Sequence, residues 1–139
     1  MKKIYFVVPG TPVAKARARS VIRAGRIAHY TPAKTASYES LVAMHARIAM
    51  NALEPFRGPI RLSCTFWLPV PMSYTKSRRK ACLNGSERHC KKPDIDNLLT
   101  SIKDGCNNVA WVDDCQVVEV TASKHYAEHA RAEIEICAD

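Results

Sequence analysis

The sequence predicts a single α/β domain of the α+β type, in which one mixed β-sheet is packed with two main helices. Its 139 residues fit one domain, which we expect to span residues 1–139. Apolar residues alternate along some segments and recur every three or four positions along others, so both strands and helices are expected. The predicted elements follow in the order β–α–β–α–β–β, which favours helices packed on a common sheet.

Four segments have the composition and spacing of strands. Residues 3–8 form a β-rich run, KIYFVV, that a Pro-Gly pair closes. Residues 60–68 alternate between two faces, one of which is expected to meet the core. That face carries Ile60, Leu62, Cys64, Phe66 and Leu68. Residues 115–125 and 130–137 are predicted to form two strands joined by a short turn.

Two segments have helical spacing. Residues 36–51 place apolar side chains at intervals of three and four, with Ser37 as a candidate cap. Residues 96–108 form the second helix, whose stripe is expected to face the core. The stripe consists of Ile95, Leu98, Leu99, Ile102, Cys106 and Val109. The remaining segments lack periodicity, and we predict a loop or irregular ribbon over 9–34 and a long basic loop over 69–93.

The charge of the chain is unevenly distributed. Lys and Arg number 21 against 13 Asp and Glu, which gives a net charge of +8 and a pI near 9.4. Residues 1–93 hold 18 basic and 3 acidic side chains, a net of +15, whereas residues 94–139 hold 3 and 10, a net of −7. A basic half suits a polyanion, because Lys and Arg that neutralise phosphates release condensed counterions. The distribution is compatible with nucleic-acid binding, although many basic proteins bind none.

The sequence has no feature of a secreted or membrane protein. Its six cysteines include no CxxC pair, and the N-terminal MKKIYFVVPG is too short an apolar run for a signal peptide. We therefore expect reduced thiols and a cytoplasmic protein of a bacterial or phage-infected cell. We also expect no membrane partner, because no stretch approaches the ~20 apolar residues of a membrane span.

Two acidic pairs have the spacing of a candidate metal site. Asp94 and Asp96 point the same way if their segment is extended and a helix starts after Asp96. The helix then leads the chain back, so that Asp114 of the pair Asp113-Asp114 can approach them. Three converging carboxylates repel one another unless a cation lies among them, and hard oxygen ligands suit Mg²⁺ or Mn²⁺. The alternative is that Asp96 only caps a helix and Asp113-Asp114 only form a turn.

A longer pattern surrounds these aspartates. It opens with KPDIDNL at 92–98, continues through a helix and closes with WVDDCQVVE at 111–119. This pattern resembles the RusA family of Holliday junction resolvases, whose members carry a (K/R)xDxDN motif, a helix and an aromatic-x-DD-x-Q-V segment. The basic stretch PGTPVAKARAR at 9–19 and the YTP at 30–32 also resemble this family. The likeness therefore extends over most of the chain.

The resemblance implies a Mg²⁺-dependent endonuclease that resolves Holliday junctions by paired phosphodiester hydrolysis in DNA recombination and repair. It also implies a mixed α/β fold and a homodimer of a kind frequent in phages and prophages. Asp94, Asp96 and Asp114 match the family's metal-binding catalytic aspartates, and Asp113 matches a neighbouring acid whose role is less clear. A two-fold dimer would supply the two active sites that cut opposite strands. The helix at 36–51 and the strand face carrying Trp67 are both candidates for its interface.

One position departs from the family pattern. The family usually has a catalytic lysine four residues after the second aspartate, where this chain has Thr100. Lys103 follows on the same helix face, because Asp96, Thr100 and Lys103 stand at i, i+4 and i+7. Lys103 is therefore a candidate catalytic residue near the metal. The alternative is a solvated lysine paired with Asp96 or Asn107.

Six basic residues are candidates for gripping the phosphates of branched DNA. They are Lys15, Arg17, Arg19, Arg78, Arg79 and Lys80. Contacts of this kind position DNA without reading its sequence. Two other functions stay open: a junction-binding protein with weak or no catalysis, and a metal-dependent nuclease for flaps, other branched DNA or RNA.

Overall fold

The computed structural model describes residues 1–16, 19–30 and 32–139; the side chains of Arg19, Arg23 and Tyr30 fall outside the described atoms. The elements in chain order are β1 (Lys2–Pro9), β2 (Arg19–Arg23), β3 (Arg26–Tyr30), α1 (Ala33–Met50), β4 (Ile60–Pro69), α2 (Lys76–Leu83), α3 (Ile95–Cys106), a 3₁₀ turn (Asp114–Gln116), β5 (Val117–Ala127) and β6 (Arg131–Ala138).

Four of these strands form one mixed sheet in the order β1-β6-β4-β5. β5 runs parallel to β4, whereas β6 is antiparallel to both β1 and β4. The two remaining strands, β2 and β3, pair with each other as a separate antiparallel ribbon. The prediction of an α+β domain with a mixed sheet is therefore confirmed.

The core lies between one face of this sheet and the helices α1 and α3. The alternation predicted for β4 is confirmed, because the five residues of its apolar face are all buried. Val42 and Ala46 of α1 and Leu98 and Ile102 of α3 are fully buried and belong to the same core cluster. The two helices are in close contact at Gly105, where an added Cβ would lie 2.6 Å from a methyl group of Val42. The sheet and both main helices thus share one continuous core.

The predicted helix at 36–51 is confirmed but begins three residues earlier, at Ala33. Its N-cap is Pro32, with φ −52° and ψ 143°, and the backbone N–H of Ala36 donates to the Pro32 carbonyl at 3.0 Å. Ser37 therefore lies inside the helix, and the prediction that it forms the cap is wrong. Proline suits the start of a helix because it has no N–H to leave unpaired and its φ is already fixed.

Two loops predicted from missing periodicity contain regular structure. The ribbon β2–β3 lies within 9–34 and turns at Ala24 and Gly25, whose φ values of 50° and 75° are those of a tight hairpin turn. The basic loop at 69–93 contains α2, which Thr75 caps by accepting a hydrogen bond from the Arg78 N–H. The helix α2 buries only Cys82, so its sequence carries no apolar stripe that would have indicated a helix.

Two further observations concern the cysteines and the helices. All six cysteines are free thiols, as expected from their spacing. No helix among the described residues has both the length and the apolar composition needed to cross a membrane.

Candidate functional site

Asp94 and Asp96 lie at the N-terminal end of α3, and both side chains are exposed. The expected helix start after Asp96 is wrong, because α3 begins at Ile95 and Asp94 occupies the N-cap with extended backbone (φ −72°, ψ 143°). The Asp94 carboxylate makes no capping hydrogen bond with the described residues, so its oxygens stay available. The partial positive charge of a helix N-terminus stabilises carboxylates at this position.

The segment that leads into Asp94 is fixed by Lys124 of β5. The Lys124 ammonium donates hydrogen bonds to the carbonyl of Lys91 at 2.6 Å and to that of Pro93 at 2.9 Å. It therefore clamps the backbone immediately before the first aspartate. No sequence pattern indicates this role, because Lys124 stands in a predicted strand far from the acidic motif.

The N-terminal loop at 11–16 is tied to the same helix. The backbone N–H of Lys15 donates to the Asn97 carbonyl at 2.9 Å, and the Ser101 hydroxyl donates to the Val13 carbonyl at 2.6 Å. These bonds hold the loop along the first two turns of α3. The loop at 11–16 and the KPDIDNL motif at 92–98, which both belong to the family resemblance, therefore meet beside Asp94.

The side chain of Lys15 is held within the chain. Its ammonium lies 2.5 Å from Glu39 of α1 and 3.0 Å from Asp104 of α3. Burial alone would lower the pKa of Lys15, but the hydrogen bonds and charges of Glu39 and Asp104 outweigh it and raise that pKa. Lys15 thus links the loop, α1 and α3, and these contacts compete with the phosphate contact predicted for it.

The other predicted phosphate ligands belong either to the N-terminal segment or to α2. Arg17 and the side chain of Arg19 lie outside the described residues. On α2, the Arg78 guanidinium is 3.0 Å from Glu87 and lies over the Tyr74 ring, 3.6 Å from its centroid. Arg79 is half-buried. Lys80 is exposed and forms no salt bridge with any described residue.

Asp114 lies toward the opposite end of α3 from Asp94. Its Oδ1 accepts a hydrogen bond of 2.8 Å from the indole N–H of Trp111, which is fully buried. Its charge helps burial to raise the pKa of Cys106, the last residue of α3, so the two groups are neighbours. A helix of 12 residues is about 18 Å long, which separates the neighbourhood of Cys106 from Asp94.

The three aspartates are consequently not assembled into one cluster. Among the described residues, no group of three or more His, Cys, Asp or Glu side chains is placed to hold a metal ion. The prediction that Asp94, Asp96 and Asp114 of one chain converge on a single cation is therefore wrong. The chain does return to Asp94 after α3, but it returns along β5, and the side chain it delivers there is Lys124.

The second acidic pair has a structural role that the sequence left open. Asp113 accepts a hydrogen bond from the Cys115 N–H at 3.1 Å, and the Gln116 side chain accepts from the Asp113 N–H at 2.8 Å. The Gln116 amide also donates to the carbonyls of Phe56 and Gly58. These bonds fix the 3₁₀ turn, so Asp113 and Gln116 together hold Asp114 in place.

The face of α3 beyond Asp96 carries Thr100 and Lys103. The Thr100 hydroxyl donates to the Asp96 carbonyl at 2.9 Å, so it turns back onto its own helix. Lys103 is half-buried, and it forms no salt bridge with any residue of the described ranges. The alternative of an ion pair between Lys103 and Asp96 is not observed. Lys103 stays a candidate for a phosphate contact along this face.

Two adjoining concavities open beside Asp94. The smaller one, of about 370 Å³, is lined by Ala14, Lys92, Pro93, Asp94 and Asn97. The larger one, of about 520 Å³, shares Ala14, Lys92 and Pro93 and also contains Lys34 and Lys91. Lys91 and Lys92 directly precede the Asp94 motif in the sequence, whereas Lys34 of α1 is brought to the same surface only by the fold.

Comparison with known proteins identifies the family of the chain. Residues 9–137 match the family model described as Endodeoxyribonuclease RusA. The chain belongs to this family of Holliday junction resolving endonucleases, which makes it a nuclease, a hydrolase that acts on DNA. It is also 35% identical to an uncharacterized protein, YqaN, of Bacillus subtilis (strain 168), over 98% of this chain and 96% of the relative.

Proposed function

We propose that this protein is a divalent-metal-dependent endonuclease that resolves four-way DNA junctions by hydrolysing phosphodiester bonds. The observation that carries this proposal is the placement of Asp94 and Asp96, two exposed carboxylates at a helix N-terminus beside a surface with three lysines. Exposed carboxylates next to fixed positive charge suit a bound cation together with a phosphate. Membership of the endodeoxyribonuclease family supplies the reaction class.

The residues present fit a Mg²⁺ ion in part. Mg²⁺ is commonly held by one or two carboxylates, with water and substrate phosphate as its other ligands, and Asp94 and Asp96 offer two such carboxylates. Asp114 has one oxygen engaged by Trp111 and the other free. When bound, the ion would polarise the phosphoryl group and lower the pKa of a water molecule. We assign Asp94 and Asp96 as its ligands; Asp114 lies toward the opposite end of α3 and is not one of them.

The remaining side chains would act on the substrate phosphates and on the position of the aspartates. Lys34, Lys91 and Lys92 place positive charge where the DNA backbone would approach Asp94. Lys103 lies seven residues beyond Asp96, about 10 Å further along the helix, where it would contact a neighbouring phosphate. Lys124 acts indirectly, because it holds the carbonyls of Lys91 and Pro93 and so fixes the approach to Asp94.

We also propose that two copies associate through α1. The helix has apolar side chains on its outer side as well as its core side: Met44 is 46% exposed and Ile48 is 67% exposed. The outer side of the helix also carries the exposed residues Ser40 and Arg47, so Met44 and Ile48 form a small apolar patch that a second copy would cover. The alternative surface around Trp67 is already satisfied, because its indole N–H donates to Glu133 and the Arg131 guanidinium lies over its ring.

Cleavage of a synthetic four-way junction tests the enzymatic proposal. Wild type should nick the junction with Mg²⁺ or Mn²⁺ and not with EDTA. Asp94→Asn and Asp96→Asn should each lower the rate by about 100-fold or more, the scale of a lost electrostatic contribution at the reacting phosphate. Asp114→Asn keeps an oxygen for the Trp111 bond and should lower the rate much less, because Asp114 lies about the length of α3 from Asp94. Glu128→Gln, an exposed acid between β5 and β6, is the matched control and should not change the rate.

The same assay separates the alternatives. If wild type binds the junction but none of the divalent ions supports nicking, the protein is a junction-binding module. The separation of Asp114 from Asp94, and the presence of Thr100 in place of the family lysine, would be consistent with that result. If junction, flap, linear duplex and RNA are cut equally, the assignment to junctions is wrong.

Sedimentation velocity tests the dimer. Met44→Glu and Ile48→Glu should shift the protein from dimer to monomer, because each places a charge in the apolar contact. Met72→Glu, at a methionine that is 99% exposed and away from α1, should leave the dimer intact. A wild-type monomer at all micromolar concentrations would refute this association.

A further inference from the structure

The larger concavity beside Asp94 has the dimensions and lining of a ligand pocket. Its volume of about 520 Å³ lies within the 300–1,000 Å³ usual for small-molecule and cofactor sites. Its walls are mainly apolar and come from three parts of the chain. These walls include Pro12, Val13, Pro32, Leu68, Pro69 and Pro93. An apolar wall of this extent is not needed to contact a phosphate backbone alone.

The rim of the pocket is positively charged. Lys34, Lys91 and Lys92 line it, and none of the described residues that line it is acidic. The N-terminus of α1 opens on the same rim, at Pro32 and Lys34, and this helix has no side-chain cap and no acid in its first turn. Its first backbone N–H groups therefore lack partners within the helix. The pocket thus combines an anion-binding rim with an apolar interior.

His89 supplies a buried polar group in the pocket wall. Its side chain is only 7% exposed, and its Nδ1 atom has no hydrogen-bond partner among the described atoms. Burial and the nearby charge of Lys124 lower its pKa, so the ring is neutral near neutral pH. A neutral imidazole offers one donor and one acceptor, which suits the edge of a nucleobase. Buried polar atoms without partners are uncommon in folded proteins, so the Nδ1 atom still has a hydrogen bond to give or accept.

We infer that this pocket receives one unpaired nucleotide of the DNA, adjacent to the phosphate that is cut. Its phosphate would lie at the lysine rim and the α1 N-terminus, and its base would lie against the apolar walls with an edge toward His89. This inference rests on the proposed function, because it takes branched DNA as the substrate. It adds a site for base recognition that the two aspartates do not provide.

The pocket gives a physical reason for a preference for branched DNA. A base must leave its stack before it can enter, which costs a few kcal/mol in a duplex and least where pairing is already disturbed. The branch point of a junction is such a place. Selection by shape would then follow from the cost of unstacking, and His89 would add a dependence on base identity.

Fluorescence of 2-aminopurine tests whether a base is removed from the stack. Four-way junctions carry the analogue at single positions around the branch and are mixed with wild type in EDTA, so that binding occurs without cleavage. We expect a several-fold rise in fluorescence at one position in each exchanging strand and no change at the other positions. A flat response at every position, with binding confirmed by gel shift, would overturn the inference.

Protein variants then test the residues of the pocket. His89→Phe keeps an aromatic ring and should weaken junction binding by about five- to tenfold, the scale of one lost polar contact to a base. Its effect should vanish on a junction that is abasic at the responding position. Lys34→Gln should lower the slope of log affinity against log salt by about one, as expected for one lost phosphate contact. Lys76→Gln, an exposed lysine of α2 outside the pocket, should leave that slope unchanged.

These results are separable from the nuclease assay. If wild type nicks junctions with Mg²⁺ while the fluorescence stays flat, the pocket inference fails and the proposed function stands. If the fluorescence rises but no divalent ion supports nicking, the pocket still receives an unpaired base and the proposed nuclease function fails. An effect of His89→Phe that persists unchanged on the abasic junction shows a structural role and refutes base recognition.

Discussion

Replacing Gly105 with alanine should weaken the contact between α1 and α3 that positions the site. The new Cβ would lie 2.6 Å from Cγ1 of Val42, 2.7 Å from its Cβ and 3.0 Å from the Glu39 carbonyl oxygen. Carbon atoms pack at about 3.5–4.0 Å, so the helices would have to separate by about 1 Å at this point. Two of the three contacts involve backbone or a Cβ, which a change of rotamer cannot relieve.

The expected magnitude is the difference of two effects. Overpacking a well-filled core costs about 1–3 kcal/mol. Alanine is favoured over glycine inside a helix by about 1 kcal/mol, which offsets part of that cost. Because the clash involves a backbone oxygen and a Cβ that cannot rotate away, the upper part of the overpacking range, about 2–3 kcal/mol, applies. The net loss of unfolding free energy should therefore be about 1–2 kcal/mol, or a fall in Tm of roughly 3–8 °C for a domain of this size.

Urea denaturation followed by circular dichroism measures this loss, with Gly58→Ala as the matched control. At Gly58 the added Cβ would meet only the Asp139 carbonyl, at 3.9 Å, so stability should change by less than about 0.5 kcal/mol. If Gly105→Ala is as stable as wild type, the close approach of α1 and α3 is wrong. The placement of Lys34, which belongs to α1, beside the Asp94 end of α3 would then have to be revised as well.

Three further substitutions give independent checks on stability. Tyr38→Phe removes a buried hydroxyl that has no hydrogen-bond partner in the described part of the chain, and should leave unfolding free energy unchanged or raise it by up to about 1 kcal/mol in urea denaturation. Lys15→Gln leaves Glu39 and Asp104 unpaired, and should lower thermal stability by about 1–2 kcal/mol, less so in high salt. His89 has a lowered pKa in the folded state, so the unfolded chain takes up its proton first as pH falls from 7 toward 5 and stability declines over that range. His89→Phe should reduce this decline in stability, which is measured by comparing urea midpoints at pH 7 and pH 5. If the decline is the same in His89→Phe as in wild type, His89 is not a buried neutral ring.

The sequence predicted those parts of the fold in which burial alone decides the pattern. Alternation in β4 and the stripe in α3 are direct consequences of one apolar face meeting the core, and both are confirmed. It failed where local hydrogen bonds decide instead. The helix α2 depends on the Thr75 cap and buries a single cysteine, and the ribbon β2–β3 depends on a turn with positive φ at Ala24. Neither determinant produces periodicity.

The candidate site was predicted in its residue types more than in its geometry. Asp94 and Asp96 are exposed at a helix start, close to what the motif indicated. The position of Asp114 depends on how residues 107–116 fold, through the Gln116 bonds to Phe56 and Gly58, and no pattern in the sequence reports such contacts. The contribution of Lys124 was equally hidden, because it depends on β5 pairing in parallel with β4.

These placements change how the uneven charge of the chain should be understood. The acidic C-terminal third and the basic remainder do not form separate surfaces, because β5 carries Lys124 to the backbone before Asp94 and the loop at 11–16 is bonded to α3. The fold therefore places lysines from the basic part around carboxylates from the acidic part. In water at physiological salt, charges more than about 8 Å apart are largely screened, so only such local mixing can make a cation and a phosphate bind side by side. The strength of the site should accordingly depend on Lys124 and the pocket lysines more than on the net charge of the protein.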